Sequence, residues 1–209
     1  MAERRQRRDL ALEEVVDRAV EIAQAEGERG LTMRAVADAC QVTPMALYHH
    51  VENKEALLTA IVDRVVADSI ADFGSEVDWR VGLTEFLARF RQGFLDSPTA
   101  AQVFLRRPVL SPAMARCTEL MFAAFEQAGL SGDQPAEATD AAVLLVMGSI
   151  ANDLTRPNEV RRELVGHLDT DDTRLSAAID AYSARDGDQR FRKSFGWLLD
   201  GLFEEMLGE

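Results

Sequence analysis

Apolar residues recur at spacings of three and four along nearly the whole chain, and no segment alternates apolar and polar positions as a half-buried strand would. Leu12, Val15, Val16, Ala19 and Ala23 form one such stripe, predicting a first amphipathic helix from about Leu10 to Glu26 with Gly27 and Gly30 just beyond its end. Two short helices and a long one are expected to follow before residue 75. Trp79, Leu83, Phe86, Leu87, Phe90 and Phe94 make a wider stripe, closed at Ser97-Pro98 because the residue before a proline is pushed out of helical backbone. Pro112 opens another helix, with Met114, Cys117, Met121, Phe125 and Ala128 on one face and Gly129 and Gly132 at its end.

Between Ala141 and Leu154 the chain is apolar nearly all round. A last helix from Asp188 to Leu207 is broad in the same way, with Phe191, Phe195, Trp197, Leu198, Leu199, Leu202, Phe203 and Met206. Faces this wide need cover from more than one side, by the same domain or by a partner. Pro157 to Gly187 is more polar, and Asp169, Asp171 and Asp172 mark a turn or loop between shorter helices. The expected fold class is all-α.

Residues 31–58, LTMRAVADACQVTPMALYHHVENKEALL, are the most tightly punctuated. Thr32 can cap a short helix from Met33 to Cys40 that turns Val36 and Ala37 inward, and Gln41-Val42 make a turn. Thr43-Pro44 then supplies an N-cap followed by proline at the first helical position, where its missing N–H is no loss. The second helix, Pro44 to about His50, is barely two turns long. Two short helices on a tight turn form a helix-turn-helix, whose second helix is narrow enough for the major groove of DNA. Met45 and Ala46, at its start, let it approach base edges closely. His49 and His50 are adjacent, point about 100° apart on a helix and cannot share a metal ion.

From Ala37 to Leu58 the run A-x-x-x-x-V-T-P-x-x-L-Y-x-H-V-x-N-K-x-x-L-L resembles the signature of the TetR (tetracycline repressor-like) family of transcriptional regulators. FGWLLDGLFEEM near the end resembles the close of many members' last helix. The resemblance implies a three-helix DNA-binding domain over residues 1–55, a linking helix at about 54–73, and a helical ligand-binding and dimerisation domain over 56–209. It implies a regulator, most simply a repressor released from a palindromic operator by a small-molecule effector. The implied partners are double-stranded DNA, that effector and a second copy of the chain. It also implies the contacts. Arg34 would stand near the groove edge within reach of a base or phosphate, Thr43 at the start of the recognition helix and within reach of phosphate, Pro44, Met45 and Ala46 in its base-facing first turn, Tyr48 and His50 on the side facing the DNA backbone, and Lys54 on a phosphate. If Asn53 caps the next helix, Lys54 is a cation in a first turn, where the helix dipole disfavours it by some tenths of a kcal/mol; a phosphate bound there reverses the sign. The family usually has glycine where this chain has Gln41. A non-glycine residue at positive φ costs about 1–2 kcal/mol, so a slightly different turn is expected.

Charge changes the picture less than its sum of −13 suggests. Residues 1–66 hold nine Lys/Arg against twelve Asp/Glu, so most of the acidic excess lies beyond them. Charge alone therefore supports no nucleic-acid reading, and motif geometry must carry it. Arg4, Arg5, Arg7 and Arg8 fit an arm along the DNA backbone or a frayed terminus equally well. Cys40 and Cys117 sit inside helical patterns with no Cys or His at ligand spacing, which predicts two buried thiols, no disulfide and no metal site. No apolar run approaches the roughly 20 residues that span a bilayer, no cofactor motif is present, and a cytoplasmic location is expected. Phe90, Phe94, Phe104, Met121, Phe125 and Met147 are core residues by periodicity and the candidates for an effector pocket, with Arg89, Arg91, Asn152 and His167 as polar candidates. The competing reading is a helical small-molecule-binding protein or enzyme with an incidental helix-turn-helix. No G-x-S-x-G elbow, P-loop, G-x-G-x-x-G run or H-E-x-x-H pair supports it.

Overall fold

The computed structural model describes residues 11–71, 78–155 and 173–208. Among them every regular element is an α-helix: α1 (Leu12–Gly30), α2 (Met33–Ala39), α3 (Pro44–Tyr48), α4 (Lys54–Ile70), α5 (Trp79–Asp96), α6 (Pro98–Arg106), α7 (Pro112–Gln127), α8 (Gln134–Thr155), α9 (Thr173–Ser183) and α10 (Gly187–Leu207). The all-α expectation holds. The expectations resting on Leu10, the four N-terminal arginines, the linking helix past Ala71, His167 and the loop at Asp169, Asp171 and Asp172 lie outside the described residues.

The chain forms two compact units. One comprises the described residues up to Asp68 together with Asp96–Ala115; the other comprises the described part of residues 69–95 and the described residues from Arg116 onward. In the first, Val15, Val16, Ala19 and Ala23 of α1 are buried with Val36, Ala37, Leu47, Leu57, Leu58 and Ile61. The apolar stripe thus predicts the inward face except at Leu12, the first residue of the helix, which is 48% exposed. α1 is kinked at Gly27 (φ 68, ψ −172), so its main body ends where the sequence suggests and a short further turn carries Glu28 to Gly30. α6 is an addition to the sequence reading, which took Ser97-Pro98 only as an end. Pro98 also starts a helix of nine residues, and Thr99, Ala100, Ala101 and Val103 are buried as it packs against α1.

In the second unit the buried residues include Leu83, Phe86, Leu87, Phe90 and Phe94 of α5, Cys117, Met121 and Phe125 of α7, Ala138, Ala142, Val146 and Ile150 of α8, and Phe191, Phe195 and Leu199 of α10. On α8 and α10 these recur every fourth residue, so each helix, packed against the other, buries one face. Leu144 on α8 and Trp197 on α10 remain 63% and 62% exposed. No described helix is long and apolar enough to cross a membrane.

Candidate DNA interface

The turn between α2 and α3 is closed by two backbone bonds, Val42 N–H to Ala37 O at 2.9 Å and Gln41 N–H to Asp38 O at 3.1 Å. This is the Schellman pattern, which places one residue in left-handed backbone. That residue is Gln41, at φ 58. The different turn expected from the missing glycine is not found: the bonds hold the usual geometry and glutamine bears the strain, about 1 kcal/mol. On either side the caps stand as the sequence predicts. The Thr32 hydroxyl accepts from Ala35 N–H at 3.1 Å and that of Thr43 from Ala46 N–H at 3.2 Å, with Pro44 at the first helical position.

α3 is shorter than expected, ending at Tyr48, so His49 and His50 follow it. Leu47 is fully buried and anchors the helix. Pro44, Met45 and Tyr48 point outward, Met45 69% and Tyr48 48% exposed, while Ala46 is half-buried between them. The structure therefore brings Thr43, Pro44, Met45 and Tyr48 to the surface of one short helix and its cap. The side chain of Arg34 on α2 is 88% exposed, 3.9 Å from Asp38, and His50 is exposed just past the end of α3.

At the start of α4, Asn53 Oδ1 accepts from Ala56 N–H at 2.8 Å, the expected cap. Lys54 has a partner that sequence reasoning missed: its Nζ donates to the backbone oxygen of Glu28, in the turn beyond the Gly27 kink, at 2.7 Å. Carbonyls in a helix's last turn lack intrahelical donors, so a cation completes one there. A backbone acceptor 26 residues away leaves no side-chain signature.

In the second unit, Phe90 and Phe94 touch with ring centroids 4.9 Å apart, Met121 and Phe125 are buried, and Met147 is half-buried on α8. Phe104 is on α6, in the first unit, so the six pocket candidates do not form one group. Arg89 is exposed and Asn152 half-buried. Arg91 is 1% exposed and draws three helices together. Its Nε donates to Ser149 Oγ at 2.7 Å, its Nη2 pairs with Asp153, and its guanidinium lies 5.7 Å from the centre of the Phe191 ring. Arg190 approaches the other oxygen of Asp153 at 3.4 Å. Burial pulls the Arg91 pKa down while Asp153 opposes it. A β-carbon at Gly187 would meet the ends of the Asp153 and Arg91 side chains, so any other residue at the start of α10 would push this pair aside.

Two clefts adjoin the network. One of about 360 Å³ opens between Leu144, Ser149 and Asn152 of α8 and Arg190, Phe191 and Ser194 of α10. The other, about 450 Å³, is lined by Arg91, Gln92, Leu95, Asp153, Leu154 and the start of α10. Neither is lined by Phe90, Phe94, Phe104, Met121, Phe125 or Met147. Cys40 and Cys117 are free and buried, and burial pushes the Cys117 thiol up to about 12, leaving it protonated and unreactive. Among the described residues no group of three or more His, Cys, Asp or Glu could hold a metal ion.

Residues 15–61 match the family of bacterial regulatory proteins of the tetR type, and residues 74–206 match the tetracyclin repressor-like C-terminal domain. An HTH-type transcriptional regulator of Saccharopolyspora erythraea is 29% identical over 199 residues, covering 92% of this chain and 84% of its own. The HTH-type transcriptional repressor DrrR1 of Streptomyces coeruleorubidus is 33% identical over 159 residues, 73% of this chain and 57% of its own. Among solved structures, the TetR family protein ActR of Streptomyces coelicolor in complex with actinorhodin superposes with a TM-score of 0.81 at 23% identity, covering 95% of this chain and 97% of that one. At that identity the likeness is one of fold.

Proposed function

The chain belongs to the TetR family of bacterial regulatory proteins, and from that premise we propose that it is a homodimeric repressor released from a two-fold operator by a small molecule. Binding DNA to regulate transcription is the family's function. The observation that carries this reading is the outward face of α3: Leu47 is buried, while Met45 and Tyr48 are offered to solvent beside a capped, proline-fixed start. Met45 and Ala46 are the proposed readers of base edges, with Thr43 and Pro44 beside them in the first turn. Arg34 reaches the groove edge, and Tyr48, His50 and Lys54 hold the phosphate backbone.

The second copy is proposed to sit on α8 and α10. Their outward Leu144 and Trp197 support this, since large exposed apolar side chains on two packed helices suit an isologous four-helix contact. Two recognition helices then enter major grooves about 34–36 Å apart, or a multiple of that. A small-molecule effector is supported by ActR, a structural neighbour solved with actinorhodin bound. The proposed lining is Phe90, Phe94, Met121, Phe125 and Met147 in the second unit, with Arg91 and Asn152 as polar groups. A regulator of bacterial DNA works in the cytoplasm.

Selection of duplexes from a random pool at fixed salt, with sedimentation of the free protein, tests this reading. An enriched pseudo-palindrome and a stable dimer at micromolar concentration are expected; no enrichment, or a monomer, overturns it. On the selected duplex, Lys54→Ala should weaken binding to all sequences alike and lower the salt slope by about 1 per half-site. Substitutions at Met45 or Ala46 should instead change which bases are accepted.

A further inference from the structure

The first unit includes a helix that the helix-turn-helix motif does not call for. α6 ends in Arg106 and is followed by Arg107, and each arginine holds a different part of the DNA-binding head. Arg106 Nη2 pairs with Glu28 Oε2 at 2.6 Å, on the short turn beyond the Gly27 kink. Arg107 Nη2 pairs with Glu55 Oε2 at 3.1 Å and also reaches Glu55 O at 3.3 Å and Thr59 Oγ1 at 3.2 Å, all in the first turns of α4. Lys54 joins these two segments, with its ammonium on the oxygen of Glu28 at 2.7 Å. The turn carrying Glu28 follows a glycine at positive φ and is too short to be held by its own hydrogen bonds. Besides the buried Leu31 that follows it, two cations hold it from outside, Arg106 on the Glu28 carboxylate and Lys54 on the Glu28 backbone oxygen. Further back, α6 is fixed to the body of α1 by Thr99 Oγ1 on Ala23 O at 3.4 Å.

We propose that Arg106 and Arg107 are positioning residues for operator binding: by clasping Glu28 and Glu55 they fix where Lys54 presents its ammonium. Neither arginine need touch DNA. Exposed pairs of this kind contribute little to stability, so a stitching role alone leaves DNA affinity unchanged when they are removed, whereas a positioning role does not. The arginines also neutralise two carboxylates flanking Lys54, so geometry and charge have to be separated. The proposal rests on the reading that Lys54 meets a phosphate.

The test uses the full chain and its selected duplex across a salt series, with thermal melting of each variant. Arg106→Ala and Arg107→Ala should each weaken operator binding about three- to tenfold while the melting temperature moves by no more than about 2 °C. The charge-swapped pair Glu28→Arg with Arg106→Glu and the double variant Glu28→Ala with Arg106→Ala both keep the net charge, and only the swapped pair can re-form the contact, so it should bind the operator more tightly than the double alanine variant. Wild-type affinity in both single alanine variants, or a swapped pair no better than the double alanine variant, overturns the proposal provided that Lys54→Ala does lower the salt slope. If Lys54→Ala leaves the slope unchanged, the phosphate reading itself fails and the proposal goes with it.

Discussion

In the head, the caps of α2, α3 and α4 act over three residues: Thr32, Thr43 and Asn53 each accept a backbone N–H from within their own turn. In the second unit, the side chain that gathers α5, α8 and α10 is Arg91, whose partners Ser149 and Asp153 lie 58 and 62 positions away. The helix starts around the recognition turn are set at the surface by neutral groups, whereas α5, α8 and α10 are drawn together in the interior by a charge. A lost cap frays one helix end, whereas a buried carboxylate deprived of its cation weakens everything packed round it. A DNA reader needs a fixed shape of small extent. A unit that responds to an effector can instead concentrate its arrangement in one network.

Removing the charge is the strongest way to break this contrast. Arg91→Met keeps the bulk but takes from Asp153 its buried cation, and should lower stability by about 3 kcal/mol in urea unfolding. A loss below about 1 kcal/mol would mean that apolar packing alone holds the second unit. Thr43→Ala sharpens the other side. It should weaken the head by about 1 kcal/mol, seen as faster hydrogen exchange at Ala46 N–H, with little change at amides of α8. Faster exchange at neither site, or at both together, would erase the distinction. The smallest effect concerns the turn ending at Val42. The same two-bond closure ends α7, where Leu130 N–H meets Phe125 O at 3.1 Å and Gly129 N–H meets Glu126 O at 3.0 Å. There glycine takes the left-handed residue, at φ 102. Gln41→Gly should therefore raise stability by about 0.5 kcal/mol, the relief of strain less the greater freedom of glycine in the unfolded chain, read as a rise of about 1–2 °C in melting temperature.

How much the sequence reveals follows the same division. Thr32, Thr43-Pro44 and Asn53 could be read as caps because a cap and the amide it serves are neighbours in the chain. The stripes of α5 and α7 could be read because burial imposes a period. α6 went unread although Ser97-Pro98 repeats the Thr43-Pro44 signal, since the same proline that ends one helix also begins the next. The Arg91–Asp153 pair was not legible at all: a buried arginine in an apolar stripe looks like any solvated one until a carboxylate from another helix arrives. Lys54 was recognised as important but given only its outward role. Gln41 misled, because composition shows which residue prefers a conformation and not which hydrogen bonds enforce it.

One consequence bears on engineering. Because the compact head draws on two stretches of chain, the described residues up to Asp68 and then Asp96–Ala115, it is not a cassette that a single cut releases. A chimera joined after α4 would take the reading helix but leave behind α6 and the arginines that grip α1 and α4. A graft intended to move operator choice onto another regulator should exchange both stretches, or keep the recipient's own second stretch and alter only the outward residues of α3.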